Sequence, residues 1–299
     1  MHILISGTHG MVGSELLISL RNKGHRVASL CRFPDLYSPS SETIYWNPSE
    51  GKADLSQLEA WDAVIHLAGE NIAGRWNAHK KASIFKSRCR DTWTLCQLLT
   101  RLKEPPKTFI CASAVGYYGD RQEEELKEES PAGSGFLADL CVQWEKSTES
   151  LKPLGVRVVN MRFGAILSEK GGLLPKLIRP IKWHLGVYLG EGNNFISWIA
   201  LEDVVAGIDH LLKTPSLTGP VNFTAPYPVT QNELIQTIVT LLHGKAPFRL
   251  SNKLVKLLLG EMGQEMVLAS QKVVPQKLMV TGYSFVYPDL NKALAHLLK

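Results

Sequence analysis

The stretch that most restricts the fold is the N-terminal His2-Ile-Leu-Ile-Ser-Gly7-Thr-His-Gly10-Met-Val-Gly13. An apolar run leads straight into Gly-x-x-Gly-x-x-Gly, and the helical spacing of Met11, Val12, Leu16, Leu17 and Leu20 follows at once. The order is strand, glycine turn, helix. Gly7 suits a turn few side chains tolerate, Gly10 lets backbone approach a pyrophosphate, and Gly13 lets the helix lie close on the strand. The helix N-terminus then presents N–H groups and partial positive charge to phosphates. A second strand, Arg26 to Leu30, closes a βαβ start of about 30 residues, the length a dinucleotide site needs. Taken alone, the glycines also fit a turn that only packs a helix against a strand.

The rest of the chain repeats the alternation. Thr43–Trp46, Ala63–Leu67, Thr108–Ala112, Val156–Met161 and Gly219–Thr224 read as strands. Between them Leu55–Ala60, Lys80–Arg101, Phe136–Leu151 and Val204–Leu212 read as helices, and the Pro- and Ser-rich Phe33–Ser41 as a loop. Lys80–Arg101 carries its apolar positions at Ile84, Trp93, Leu95, Leu98 and Leu99. Strands that are apolar throughout belong to parallel sheets covered on both faces. The fold class is therefore α/β: a doubly wound, mostly parallel Rossmann-type sheet with a smaller mixed C-terminal substrate lobe. The dinucleotide-binding domain is expected over 1–170, with 196–230 returning to it, and the lobe over 171–195 and 231–299. Glycines at 171, 172, 186, 190 and 192 mark the start of the lobe as a candidate moving lid. Thr230 and Glu233 have capping-box spacing for a helix through Leu242, and Asp203 is placed to cap the helix from Val204.

Composition narrows the function. No apolar run reaches the ~18 residues of a membrane span, and Met1 leads directly into the first strand, so no membrane partner and a cytoplasmic location are expected. A net charge of +5 without a dense basic block or interleaved aromatics excludes a nucleic-acid track. Cys31, Cys89, Cys96, Cys111 and Cys141 lack CxxC spacing and read as reduced and buried, and no His/Cys/Asp pattern indicates a metal. The second strand ends Ser29-Leu30-Cys31-Arg32, without the acid that holds the ribose 2′-hydroxyl of NAD; Arg32 instead suits a 2′-phosphate, pointing to NADP(H).

Several segments then match one family in order. They are Gly7–Gly13, Leu67-Ala-Gly-Glu-Asn71, Ser87-Arg88 with Thr92, Ser113-Ala-Val-Gly-Tyr-Tyr-Gly119, Trp144-Glu145, Arg162-Phe-Gly164, Ser197-Trp-Ile199 with Asp203, and Gln271–Pro275 with Gly282-Tyr283. Over nearly its whole length the chain resembles the epimerase-like branch of the extended short-chain dehydrogenase superfamily, described as nucleoside-diphosphate-sugar epimerases with a distinctive C-terminal domain. The resemblance implies an oxidoreductase or epimerase-like enzyme acting with NADP(H) on a small polar substrate, such as a nucleotide sugar or a carbonyl compound. The alternative is an NADP(H)-binding sensor or scaffold without turnover. Relatives often pair through two long helices, here Lys80–Arg101 and Phe136–Leu151, which permits a homodimer.

The residues expected to hold the cofactor are Gly7, Thr8, Gly10, Met11, Val12, Gly13, Arg32, Leu67, Ala68, Gly69 and Glu70. Extended relatives carry a Tyr-x-x-x-Lys pair whose Tyr moves the proton. Alignment on Glu145 puts Leu137 and Cys141 at those two places, and neither side chain can do that work. Ser113, Tyr117 and Tyr118, following the strand that ends at the cofactor crevice, are the remaining catalytic candidates; packing or a turn cap is their bland alternative. Arg162, Lys176 and Trp198 are candidate substrate residues, with Arg162 and Lys176 offering charge to an anion. Lys176 and Arg179 read equally as solvated helix charges. Arg88 reads as a surface charge unless Ser87-Arg88 faces the loop after Leu67.

Overall fold

The computed structural model describes residues 1–32 and 43–299. The loop expected over Phe33–Ser41 lies outside the described residues. The first half runs β1 (His2–Ser6), α1 (Met11–Asn22), β2 (Arg26–Cys31), β3 (Thr43–Asn47), β4 (Lys52–Ala53), α2 (Leu55–Leu58), β5 (Ala63–His66), α3 (Ala78–Phe85), α4 (Asp91–Leu99), β6 (Thr108–Ala114), β7 (Glu125–Leu126), α5 (Phe136–Lys146) and β8 (Arg157–Phe163). There follow β9 (Ala165–Ser168), β10 (Gly171–Gly172), α6 (Leu174–Lys182), β11 (Val187–Leu189), β12 (Phe195–Ile196), β13 (Trp198–Ala200), α7 (Leu201–Lys213) and β14 (Gly219–Phe223). The last part holds β15 (Val229–Thr230), α8 (Gln231–Leu241), β16 (Phe248–Leu250), α9 (Asn252–Met262), β17 (Lys272–Val273), α10 (Gln276–Val280) and α11 (Leu290–Leu297).

The main sheet has the order β14-β8-β6-β5-β1-β2-β3-β4, and every pairing in it is parallel except β3 with β4. From β1 the chain winds outward through β2 and β3, then crosses back to β5 and winds the other way. The doubly wound sheet is thus present, with its switch point between β1 and β5. Period-two alternation divides the strands between two cores. Ile3, Ile5, Ile65 and Ile110 meet Leu16 and Leu20 of α1 and Ile208 and Leu211 of α7. Leu4, Val64, Phe109 and Cys111 meet Ile84, Leu95, Leu99 and Trp144 on the opposite side. Both faces are dry, which explains strands without polar alternation. The five cysteines are buried and free.

A third core joins Leu174, Ile181, Trp198, Leu234, Ile238 and Leu294. Thr230 and Glu233 form the capping box that opens α8. Three expectations are revised. The glycine-broken 171–194 segment, read as long and interrupted, is strand, helix and strand, with Leu174 and Ile181 of α6 in the core. Asp203 does not cap α7, whose N-cap is Ala200. Instead it is buried in the first turn and accepts from Val286 N, Tyr287 N and the Tyr283 hydroxyl at 2.7–2.9 Å, tying the C-terminal segment to the helix. The helix read over Lys80–Arg101 is α3 and α4 joined by a π-turn at Lys86–Arg90, and Trp93 is exposed rather than packed. The extra residue of a π-turn shifts the helix phase, so one continuous periodicity could not describe both halves.

Candidate cofactor and active site

The crevice opens at the carboxyl ends of β1 and β5, and the glycine turn shapes it. Gly7 has φ +79°, and a Cβ there would lie 2.8 Å from the backbone of Leu67 and Ala68. A Cβ on Gly13 would overlap the Gly7 carbonyl oxygen. Both glycines are needed to seat the start of α1 against two strand ends. Helix α1 has no side-chain cap and no acid in its first turn, so no side chain there competes with a phosphate for the helix N-terminus. The cradle fits a dinucleotide pyrophosphate. Thr8 is buried in the turn, and Met11 and Val12 begin the helix. Gly171 and Gly172 approach the Met11 side chain, placing the β9–β10 turn at the rim.

Beneath the turn lies a pair the sequence reading missed. The Ser6 hydroxyl accepts from Leu67 N at 3.2 Å and Ala68 N at 3.4 Å, and it meets His66 Nδ1 at 2.6 Å. Ser6 Oγ and His66 Nδ1 share one hydrogen, and His66 Nε2 has no hydrogen-bond partner among the described residues. Burial lowers the His66 pKa to about 4, so the ring is neutral near pH 7. His66 is hidden in sequence because it sits in an otherwise apolar strand.

The loop from Leu67 to Glu70 is fixed from the helix side. Glu70 N–H donates to Ser87 Oγ at 3.0 Å and the Glu70 carbonyl accepts from Arg88 Nη1 at 2.9 Å. Arg88 therefore faces the loop, packed near Gly69 and over the Trp144 ring. The π-turn rotates it there. The Glu70 carboxylate pairs with Lys80 at 2.8 Å, and that bond, helped by Arg32 and Arg88, holds it below the usual carboxylate range. Arg32 follows β2 at the crevice edge and is exposed.

Beyond β6 the structure separates the catalytic candidates. Tyr118 is fully buried; its hydroxyl donates to Asn222 Oδ1 at 2.7 Å and accepts from Arg162 Nη1 at 2.9 Å, and burial pushes its pKa up to about 12. It is a strut between β6 and β14, not an accessible acid. Ser113 is also buried and donates to Glu145 Oε1 at 2.8 Å. Tyr117 alone is half-exposed, its ring lying on the Arg162 guanidinium with 3.4 Å between the carbon and the ring centroid. Among the described residues its hydroxyl has no protein hydrogen bond. Leu137 and Cys141 of α5 are buried, and burial holds the Cys141 thiol up near 12, unreactive.

The substrate candidates are corrected by the same geometry. Arg162 is buried, gives Nε and Nη2 to the two Glu145 oxygens at 2.8 and 2.9 Å, and gives Nη1 to Tyr118 and the Glu128 carbonyl. Burial works against its charge, but Glu145 and Tyr118 hold it protonated. Its donors are committed to the interior, so it does not face a ligand. Trp198 is wholly buried and donates to the Tyr227 carbonyl, a core role. Lys176 and Arg179 are exposed on α6, as solvated helix charges are. Glu265, unremarked in the sequence, reaches from the C-terminal part to cap α5 through Phe136 N and Leu137 N at 2.9 and 2.7 Å. Nothing in the local pattern around Glu265 announces a partner more than a hundred residues earlier.

Residues 3–223 match the model of the NAD dependent epimerase/dehydratase family, and residues 252–297 match a domain of unknown function. An epimerase family protein of Mycobacterium bovis is 36% identical over 98% of this chain and 96% of its own. The crystal structure of human epimerase family protein SDR39U1 (isoform 2) with NADPH is 30% identical and superposes at a TM-score of 0.88 over 99% of both chains. A nucleoside-diphosphate sugar epimerase from Corynebacterium glutamicum is 32% identical, with a TM-score of 0.81 over all of this chain and 58% of that one. The glycine cradle, the doubly wound sheet and these likenesses agree: the chain belongs to the NAD dependent epimerase/dehydratase family.

Proposed function

We propose that the protein is an NADP(H)-dependent oxidoreductase or epimerase-like enzyme acting on a small polar substrate of the nucleotide-sugar class. The carrying observation is the end of β2, where Cys31-Arg32 replaces the acid of an NAD site and puts a guanidinium at the crevice edge. An acid there accepts from the ribose 2′-hydroxyl and repels a 2′-phosphate; an arginine does the reverse. The human relative crystallised with NADPH supports this choice, and the Corynebacterium relative's name supports the substrate class. The cofactor would lie over Gly7–Gly13, with Arg32 at the adenosine ribose and Leu67–Glu70 along its far side. When bound it supplies hydride transfer. Tyr117 is the group best placed to carry a proton, since its hydroxyl is the one candidate not consumed inside the protein.

A second reading, an NADP(H)-binding protein without turnover, is favoured by the buried Leu137 and Cys141 at the usual Tyr and Lys places. Calorimetric titration of the purified chain with NADPH and NADH tests cofactor choice, and Arg32→Glu should reverse or abolish the preference. An unchanged ratio of the two affinities would refute the assignment. Incubating the NADP(H)-loaded protein with a panel of nucleotide sugars, read by chromatography, separates the two functional readings.

A further inference from the structure

Helix α9 carries more apolar surface than it buries. Val255 packs inward, while Leu254, Leu257 and Leu258 form an i, i+3, i+4 stripe on the outside, with Leu257 75% and Leu258 56% exposed. The strand leading into it, β16, pairs with β11, which brings the 181–190 segment alongside. That segment adds Trp183, 74% exposed, and β16 adds the exposed Phe248. Single exposed apolar residues need no explanation, but this concentration does.

The charges on the two segments are of one sign. Neither 174–190 nor 243–260 contains an aspartate or glutamate, and Lys182, Lys245, Lys253 and Lys256 are all exposed. Among the described residues none of these four lysines is in an ion pair. The nearest acid along α9, Glu261, is already paired with Lys81. Lys253 and Lys256 are exposed on the same helix, and stems of that length can cover apolar surface while their ammonium groups stay in water.

We propose that α9, with the adjoining tip around Trp183 and Phe248, docks the protein on an anionic bilayer surface. Leucine, tryptophan and phenylalanine beside unpaired lysines are the composition that lies in a headgroup layer, where burial and attraction to anionic lipid act together. A second copy of this chain is disfavoured because lysines would meet lysines with no acid in 174–190 or 243–260 to answer them, the exposed Glu191 beside Asn252 lying at the margin of the face. The helix is far shorter than a span, and among the described residues no helix is long and apolar enough to cross a membrane, so the attachment is peripheral.

The test is cosedimentation of the full chain with vesicles of phosphatidylglycerol and phosphatidylcholine, against phosphatidylcholine alone. Binding is expected to the anionic vesicles and to weaken with added salt. Lys253→Ala and Lys256→Ala should each lower partitioning roughly fivefold, and Leu257→Asp with Leu258→Asp should abolish it. These side chains are exposed, so thermal unfolding and NADPH titration should match the wild type and show the variants folded. Equal binding to neutral vesicles, no vesicle binding, or wild-type binding by the Leu257/Leu258 double variant would overturn the proposal. So would a dimer in sedimentation equilibrium that Leu257→Asp dissolves, since a second copy would then occupy the face.

Discussion

Replacing Glu145 by glutamine keeps the shape of the side chain and removes its charge. In the native site one carboxylate takes Arg162 Nε, Arg162 Nη2 and the Ser113 hydroxyl, at 2.8–2.9 Å. The arginine side chain is 3% exposed and the glutamate 13%, so neither can turn to water. Glutamine retains one oxygen for Nε and Ser113, but its amide points hydrogens at Nη2, where donor would meet donor. The guanidinium is left buried with its charge unanswered. Losing one side of such a pair costs ~3–5 kcal/mol, a large share of the ~5–15 kcal/mol that holds a domain together. Urea unfolding of wild type and Glu145→Gln, compared at equal slope, measures it. Glu145→Gln with Arg162→Met removes the stranded charge, and the cycle should return a coupling of roughly 1–3 kcal/mol. If Glu145→Gln unfolds within about 0.5 kcal/mol of wild type, the pair is not the interior strut described. Arg162 would then return to the substrate candidates.

Three further outcomes concern His66 and the two tyrosines. The folded protein keeps His66 neutral down to about pH 4, while the unfolded chain protonates it near 6.5. Unfolding therefore takes up a proton between those values, and stability should fall by up to about 3 kcal/mol as pH drops through that window. His66→Gln should flatten the profile, read as the difference between wild-type and variant urea midpoints. Tyr117→Phe should leave stability within about 0.5 kcal/mol of wild type while abolishing any turnover found on nucleotide sugars. Tyr118→Phe strands Asn222 Oδ1 and should cost ~1–3 kcal/mol in thermal unfolding; the reverse pattern would exchange the roles of the two tyrosines.

The dinucleotide half was legible because its signals are local. Gly7, Gly10 and Gly13 each answer to a backbone neighbour a few residues away or on the adjacent strand, and the apolar strands announce a sheet covered on both sides. The site beyond it was less legible because its members are joined across the sequence. Tyr117 and Tyr118 are neighbours with identical side chains, and only the position of Arg162 and Asn222 decides which is sealed in. Arg162 looked like a ligand group because a cation near the carboxyl end of a sheet strand can answer an anionic substrate; its partner Glu145 lies on a helix facing the same core. Ser87 and Arg88 could not be aimed from periodicity, since one inserted residue turns the helix beneath them. Asp203 has the composition of a cap, and its true partners are eighty residues further on.

Those last partners bear on how the chain acquires its structure during synthesis. Strand β17 pairs with β7, Asn222 Nδ2 donates to the Val274 carbonyl, Lys277 N donates to Glu128, and Tyr283 reaches Asp203. The N-terminal half of the sheet can assemble as it leaves the ribosome, but the β14 edge and the turn carrying Tyr117 wait for residues 272–283, made some fifty residues or more after them. Contacts so distant in sequence close slowly. Until they close, the apolar residues of β14 and α7 that pack with Leu278, Tyr283 and Phe285 stay uncovered, an aggregation-prone stage of folding.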